Sequence, residues 1–224
     1  MSNPLLDHLF YINLDSRPDR NEHFLQEFQK LSQTQTQTTP PERFPAICPT
    51  SGNGELGCSL SHIRCLEMAK ERAYPYVFIC EDDLTFLQPD LLLKNLQRFW
   101  DQPPPTGWDV LIICGNNFQP FDAFSEYAIH VHFCATTTGY IVAQHYYDTL
   151  LANFKEGAMN LQTNHANPRQ YIIDVHWRKL QEPVDSRWYM IIPPTATQYQ
   201  NYSNIEHRHV NYEGWILDYN KHIS

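Results

Sequence analysis

The sequence predicts an α/β fold in which helices pack against a largely parallel central sheet. Apolar, β-favouring runs alternate with segments of helical periodicity along the 224 residues, an order typical of strand–helix–strand units. The run at 76–80 ends abruptly in Glu81, Asp82 and Asp83, and apolar chain then resumes. No internal repeat is visible. We therefore expect one domain over residues 1–224, either as a whole protein or as part of a longer polypeptide.

Five short apolar runs are predicted to form strands. The first, HLFYINL, is followed at once by a polar turn, and the last, RWYMII, is stopped by two prolines. In chain order the predicted strands cover residues 8–14, 76–80, 109–114, 139–143 and 187–192.

Helices are predicted where apolar residues recur at helical spacing. Phe24, Phe28 and Leu31 follow a turn in which Pro18 and Asp19 suit the first turn of a helix. Helices are predicted over residues 18–31, 89–100 and 144–153. Another helix is predicted where an apolar stripe runs from Leu60 through Ala73, and a turn and helix are predicted at 171–180. The Gln- and Thr-rich segment 32–54 lacks periodicity and is predicted to be a mobile loop. The aromatic tail, residues 197–220, is predicted to be irregular.

Composition narrows the classes of function. Apolar residues make up 42% of the chain and charged residues 18%, which is typical of a globular protein. The net charge of −9 argues against nucleic acid as the main partner, because its backbone requires clustered Lys and Arg. No stretch is apolar enough to span a membrane, and the N-terminus lacks a secretory pattern, so we expect a cytoplasmic protein. The six cysteines form no CxxC pair and are expected to be reduced thiols.

The acidic triplet Glu81-Asp82-Asp83 indicates a ligand site. In open α/β sheets ligands lie at the carboxyl ends of the strands, where the triplet is predicted. Adjacent carboxylates repel one another unless they are exposed or neutralised by a cation, and oxygen ligands favour Mg²⁺ or Mn²⁺. The alternative is an acidic turn in solvent that has no function.

Two further segments bear on ligands. Arg17 and Arg20 follow the first strand beside a helix N-terminus, a position suited to phosphate contact, although an ordinary turn with surface arginines has the same pattern. HVHF, residues 130–133, alternates as a strand does. No further ligand is visible near its histidines, so no second metal site is predicted.

Three motifs, in this order and spacing, resemble glycosyltransferase family 25: FYINLDSRPDR at 10–20, GELGCSLSH at 54–62 and YVFICEDDLTF at 76–86. That family includes lipopolysaccharide sugar transferases, collagen galactosyltransferases and domains of large DNA viruses. Three later segments continue the likeness in order: TTTGYIVAQHYYDTLL, YIIDVHW and PPTATQYQNYSNIEHR.

The resemblance implies a GT-A fold, a Rossmann-like sandwich that binds a nucleotide sugar and holds a divalent metal through an acidic motif. On this sequence it implies Asp83 as the metal ligand, with Glu81 beside it and His207 or His209 as a late ligand; these histidines are otherwise surface residues. Asp174 is implied as the catalytic base and is otherwise a helix N-cap. The implied donor-contact residues are Asn13, Leu14, Arg17, Arg20, His62, Glu81, Asp82 and Gly139; for His62 and Gly139 a purely structural role is the alternative.

The implied function is a glycosyltransferase that depends on Mn²⁺ or Mg²⁺. It would move a sugar from a nucleoside-diphosphate donor, UDP-linked, to a hydroxyl group of a glycan or glycoprotein acceptor, with inversion. The alternative is an inactive module that binds a nucleotide sugar or glycan. Neither nucleic acid nor a membrane is an expected partner.

Overall fold

The computed structural model describes residues 3–34, 39–163 and 166–222, and its centre is a twisted sheet. In chain order the strands are β1 Leu9–Asn13, β2 Glu42–Pro45, β3 Tyr76–Glu81, β4 Leu84–Phe86, β5 Val110–Asn117, β6 Phe121–Ala123, β7 Ala128–Val131, β8 Cys134–Ala143, β9 Trp188–Ile191, β10 Ala196–Gln198, β11 Asn201–Ser203 and β12 Arg208–Val210. The helices are α1 Pro18–Thr34, α2 Gly54–Glu71, α3 Pro89–Asp101, α4 Tyr147–Thr163, α5 Ile173–His176 and α6 Glu213–Leu217.

The main sheet has eight strands in the order β2-β1-β3-β8-β5-β9-β7-β6. Within the described residues, the pairings make β7 and β8 antiparallel to the other six strands of this sheet. The prediction of a largely parallel α/β sheet is therefore confirmed. Two small antiparallel pairs, β4 with β10 and β11 with β12, lie outside it.

Helices cover both faces of the sheet. Phe24 and Phe28 of α1 share one apolar cluster with Leu92 and Leu96 of α3. The opposite cluster contains α2 and α4, together with the fully buried Trp177 and Trp188. The sheet is buried on both sides, which explains why its central strands are apolar throughout instead of alternating.

The five predicted strands and the first helices are confirmed, with ends that shift by a few residues. The largest extensions are in β8, which begins at Cys134, and in α4, which continues to Thr163. Over 171–180 the predicted turn and helix is a single helical turn, α5, between two 3₁₀ turns.

Two predictions of irregular chain are wrong in part. Within the predicted loop 32–54, β2 adds to the sheet edge beside β1, where Pro45 is tolerated because it is the last residue of an edge strand; residues 35–38 of that loop lie outside the described residues. The tail forms β10, the β11–β12 hairpin and α6. These elements have three to five residues each, too few to show a period.

A third correction concerns the histidines of HVHF. The β6–β7 hairpin places Asp122 directly opposite His130, so a further ligand type does lie near them.

All six cysteines are free thiols. Among the described residues, no helix has both the length and the hydropathy needed to cross a bilayer.

Candidate active site

The carboxyl ends of β1 and β3 bring the first and third sequence motifs together. The two strands are parallel, with Ile12 opposite Glu81, so Asn13 and Asp82 are neighbours beyond that pair. The Asn13 side-chain amide donates to Oδ2 of Asp82 at 2.7 Å and to the carbonyl of Arg17 at 3.0 Å. Asn13 therefore fixes the acidic turn to the turn after β1 and is not among the described residues that line the cavity.

Arg20 neutralises part of the acidic triplet. Its Nη1 lies 3.0 Å from Oδ1 of Asp82 and 3.3 Å from Oδ2 of Asp83. Both carboxylates are buried, and Oδ1 of Asp83 has no hydrogen-bond partner within the described chain. One guanidinium thus serves two carboxylates and leaves one buried oxygen unsatisfied.

Burial raises the pKa of Asp83 to about 7, and the neighbouring Glu81 and Asp82 add to this increase, although Arg20 and the Gln198 side chain oppose it. The pKa of Asp82 is also above its ordinary value, because burial outweighs the effects of Arg20 and Asn13. For both carboxylates, the favourable interactions of the negative charge do not offset the effect of burial. A cation placed at this turn would stabilise the charged forms.

Glu81 is held by partners from other elements. The Thr137 hydroxyl of β8 donates to Oε1 at 2.8 Å, and Nε2 of His62 lies 3.6 Å from the same oxygen. Burial favours the neutral acid, but His62, Thr137 and Arg20 outweigh it and hold the pKa of Glu81 below its ordinary value. His62 is buried in α2, with Nδ1 2.8 Å from the Tyr140 hydroxyl. It lines the cavity and positions Glu81.

Asp174 lies in the first turn of α5 and also lines the cavity. Its Oδ2 accepts a hydrogen bond from the backbone N–H of Thr136 at 3.0 Å. The helix cap position is Ile172, so the alternative of an N-cap aspartate is not realised. Burial raises the pKa of Asp174; the Thr136 N–H counteracts this increase and Glu81 adds to it.

These groups surround a cavity of about 900 Å³ at the carboxyl end of the sheet. All three carboxylates of the triplet line it, as do Leu14, Arg20 and the segment 46–49. Part of the C-terminal tail completes the wall, including Arg208 of β12 and Trp215 of α6. The volume is in the range of small-molecule sites.

Arg17 makes contacts that the sequence pattern does not reveal. Its guanidinium pairs with Asp19 at 2.8 Å and donates to the carbonyl of Tyr202 at 3.0 Å and to Oδ1 of Asn204 at 2.6 Å. Arg17 thereby ties the turn after β1 to the β11–β12 hairpin. Its predicted contact with a donor remains a prediction, and the described contacts give it a positioning role.

Three other predicted site residues are not among the described residues that line the cavity. Gly139 is a buried residue of β8, and a Cβ there would meet Leu84 and Phe78 at 3.4 Å, so it faces the core and not a ligand. His207 and His209 are exposed on the hairpin, and neither is among the described residues that line the cavity. His207 has a φ of 54° at the turn, so this residue serves the hairpin geometry.

Sequence reasoning missed Thr137 and Cys58. Cys58, His62 and Glu81 have ligand atoms within 4.8 Å of one another and form a group able to hold a metal ion. Cys58 and His62 are four apart in α2, a spacing that places side chains on one helix face and was visible in the motif. Burial raises the pKa of the Cys58 thiol well above its usual range, so the thiolate that binds metals is disfavoured.

Comparisons with known proteins agree with the motifs. The model of glycosyltransferase family 25 (LPS biosynthesis protein) matches residues 50–103, a segment that contains the GELGCSLSH motif and the acidic triplet. The resemblance predicted from the sequence is confirmed there. A comparison with curated protein sequences gives no significant match.

Two solved structures from viral sources are similar to most of the chain. One is a glycosyltransferase involved in the glycosylation of the major capsid of PBCV-1, with a TM-score of 0.50 and 10% identity, covering 89% of this chain and 95% of that one. The other is A197 from STIV, with a TM-score of 0.48 and 11% identity, covering 91% and 93%. The first shows that the chain has a GT-A glycosyltransferase fold, and the family match supports transferase activity.

Proposed function

We propose that this chain is a metal-dependent glycosyltransferase that moves a sugar from a UDP-linked donor to a hydroxyl group of a glycan or glycoprotein, with inversion. The observation that carries the proposal is Oδ1 of Asp83, which is buried and unpartnered within the described chain, in a cavity that Asp174 also lines. A buried carboxylate oxygen without a partner has lost its hydration and gained nothing in return. A cationic ligand supplies the missing interaction.

The residues at this turn fit Mn²⁺ or Mg²⁺, which prefer carboxylate oxygens and substrate phosphates. Asp83 would hold the ion through Oδ1, with Glu81 as the second carboxylate that lines the cavity. When bound, such an ion acts as a Lewis acid that neutralises the charge developing on the diphosphate leaving group. His207 and His209 are left out of this ligand set because both are exposed on the hairpin.

The donor would lie between the turn after β1 and the segment 46–49. Leu14 and Ile47 give this part of the cavity apolar surface suited to a nucleoside base and ribose. Arg169 and Arg208 line the same cavity and carry the positive charge that a diphosphate requires. Arg20 would keep Asp82 and Asp83 in place, since it already bonds both.

Asp174 would take the proton from the acceptor hydroxyl. Thr136 orients its carboxylate through the bond to Oδ2, and the raised pKa of Asp174 makes it a stronger base than an exposed aspartate. Inversion requires this base to act from the face opposite the leaving diphosphate. In the proposed arrangement Asp83 and Asp174 therefore flank the reacting sugar.

The proposal is tested by calorimetry of UDP-, GDP- and TDP-sugars, each with Mn²⁺ and with a chelator. We expect a UDP-sugar to bind in Mn²⁺ and binding to disappear in chelator. Failure of all three donors to bind, or binding that is indifferent to metal, would contradict the proposal. An inactive module would bind the same donor yet release no UDP when acceptor sugars are added, so a UDP-release assay separates the two functions.

A further inference from the structure

A second cluster of ligand-type side chains lies on the β6–β7 hairpin, away from the cavity. Asp122 of β6 is directly opposite His130 of β7, and β6 is an edge strand of the main sheet. His132 lies just after β7, and its ring centroid is 4.6 Å from that of His130, so the two imidazoles are neighbours. The three residues have ligand atoms within 4.8 Å of one another, and none of them lines the cavity described above.

The hydrogen bonds of His130 fix which ring nitrogen carries its proton. Nε2 lies 2.7 Å from the carbonyl oxygen of Ser186, which only accepts, so Nε2 must donate. The Ser186 hydroxyl, 3.1 Å from the same nitrogen, donates its own proton to the carbonyl of Gln181 and can only accept from Nε2. The neutral imidazole of His130 therefore presents the lone pair of Nδ1.

That lone pair faces a carboxylate. Nδ1 of His130 is 3.4 Å from Oδ2 of Asp122, and Nε2 of His132 is 2.8 Å from the same oxygen. Two acceptors facing one another repel unless a cation lies between them. Either a proton or a metal ion satisfies this arrangement.

We propose that Asp122, His130 and His132 form a binding site for a divalent transition-metal ion, with Zn²⁺ as the fitting ion. Two imidazoles and a carboxylate are a common ligand set of zinc, with a fourth position left for water. Zinc–ligand bonds of about 2.0–2.2 Å place tetrahedral ligand atoms about 3.3 Å apart. The His130 contact with Asp122 already has this length, and the His132 contact needs to open by about half an ångström.

The surroundings of His130 also suit a ligand. Metal-binding histidines almost always donate the other ring N–H to a carbonyl or carboxylate, which fixes ring orientation. The bond from Nε2 to Ser186 supplies this support. The Asp122 side chain is 71% exposed, whereas those of His130 and His132 are 13% and 25% exposed, so an ion can enter from solvent onto two oriented imidazoles. Bound there, it would join β6 to β7 at the edge of the main sheet.

The test is a titration of chelator-stripped full-length protein with Co²⁺, followed by displacement with Zn²⁺. We expect the intense visible absorption of tetrahedral Co²⁺, because two imidazoles, one carboxylate and one water would give the ion four ligands. The substitution His132→Ala should abolish this absorption and weaken zinc binding by more than about 100-fold, beyond the loss caused by an outer-shell change. If His132→Ala folds poorly, Asp122→Asn serves as the second variant. The Asp122 side chain is exposed, so this substitution removes a ligand without disturbing the core.

Two controls separate this site from others. His145→Ala removes an exposed histidine that pairs with Asp109 beside Arg187, and it should leave the cobalt spectrum unchanged. Asp83→Asn should also leave the spectrum unchanged, because Asp83 belongs to the proposed donor site and is not part of this cluster, so failure of one proposal does not affect the other. Superimposable titrations of wild type and His132→Ala, or no Co²⁺ or Zn²⁺ binding by wild type, would overturn the proposal and assign the cation between the two acceptors as a proton.

Discussion

The three carboxylates at the carboxyl end of β3 are adjacent in sequence but have different partners, and this difference separates their roles. Thr137 and His62 hold Glu81 in its charged form. Asn13 and Arg20 hold Asp82. Arg20 is the only cation at salt-bridge distance from Asp83 in the described chain, the Gln198 side chain also favours the charged form of Asp83, and Oδ1 of Asp83 has no hydrogen-bond partner there. Asp83 is therefore the carboxylate whose structure is incomplete without a ligand.

The proposed role of Asp174 predicts how kcat/KM depends on pH. A general base must be unprotonated, so kcat/KM should fall as pH decreases through the pKa of Asp174. Burial holds that pKa above the ordinary aspartate value, so the fall should begin at a higher pH than for an exposed aspartate. Asp174→Asn should lower kcat by about 10²–10⁴-fold and remove the part of the acidic limb that Asp174 contributes, while donor affinity is retained. The measurement is a pH–rate profile of both proteins with the best donor.

The matched control is Asp185→Asn, which changes an exposed aspartate outside the cavity and should keep the wild-type profile. A variant at Asp174 with the wild-type rate and profile would exclude this residue as the base.

At the scale of elements, the GELGCSLSH motif has a packing role that its polar residues obscure. Ser61 accepts a hydrogen bond from the backbone N–H of Ile47 at 2.8 Å and donates to the carbonyl of Gly57 at 2.7 Å. A Cβ on Gly57 would lie 2.5 Å from the carbonyl oxygen of Ile47 and 3.0 Å from Pro49. α2 therefore holds the segment 46–49, which lines the cavity, through a contact that only glycine permits.

Gly57→Ala should destabilise the protein by about 1–3 kcal/mol, the usual effect of forcing an extra methyl group into packed structure. It should also weaken donor binding, because the segment 46–49 must move. The measurements are a urea unfolding curve and donor calorimetry.

The control is Gly214→Ala in α6, where nothing lies within 4 Å of the added Cβ. It should be neutral or slightly stabilising, since alanine favours a helix more than glycine does. Equal stability of Gly57→Ala and the wild type would contradict the close contact with Ile47.

Some helices and strands could be predicted from the sequence, and others could not. Elements with several turns or a continuous apolar run, such as α1 and β3, are predicted well because their periodicity is long. β2 and the tail elements are missed since their partners, not their own residues, determine them. Among the proposed site residues, Glu81, Asp82, Asp83 and Asp174 line one cavity. Gly139 does not, because the face of a strand glycine depends on register, which pairs it with Cys80 and Cys114.

At the scale of the whole molecule, the cavity is closed by segments from both ends of the chain. Arg17 and Arg20, after β1, both donate to the carbonyl of Tyr202 in the β11–β12 hairpin. The hairpin supplies Ser203 and Arg208 to the cavity wall. The two arginines predicted to contact a donor thus position a C-terminal segment that contributes to the same site.

Arg17→Ala should loosen the hairpin. If the lost bonds contribute about 1.5 kcal/mol, the open population and the rate of tryptic cleavage after Arg208 should rise about tenfold. The measurement is limited proteolysis under native conditions with mass-spectrometric identification of the cut. Arg64→Ala is the control, because it also removes one arginine but from an exposed ion pair with Glu71 on α2. Equal cleavage of the two variants after Arg208 would show that Arg17 does not restrain the hairpin.

The most direct test of the central claim is the Mn²⁺ dependence of UDP-sugar binding in wild type, Asp83→Asn and the exposed control Asp185→Asn. The wild type and Asp185→Asn should bind the donor only with Mn²⁺. Asp83→Asn should gain no affinity from Mn²⁺, although its Tm should be no lower than that of the metal-free wild type, because a buried charge among like charges has been removed. Donor binding by a folded Asp83→Asn that matches the wild type in Mn²⁺ would contradict the assignment of Asp83 as the metal ligand.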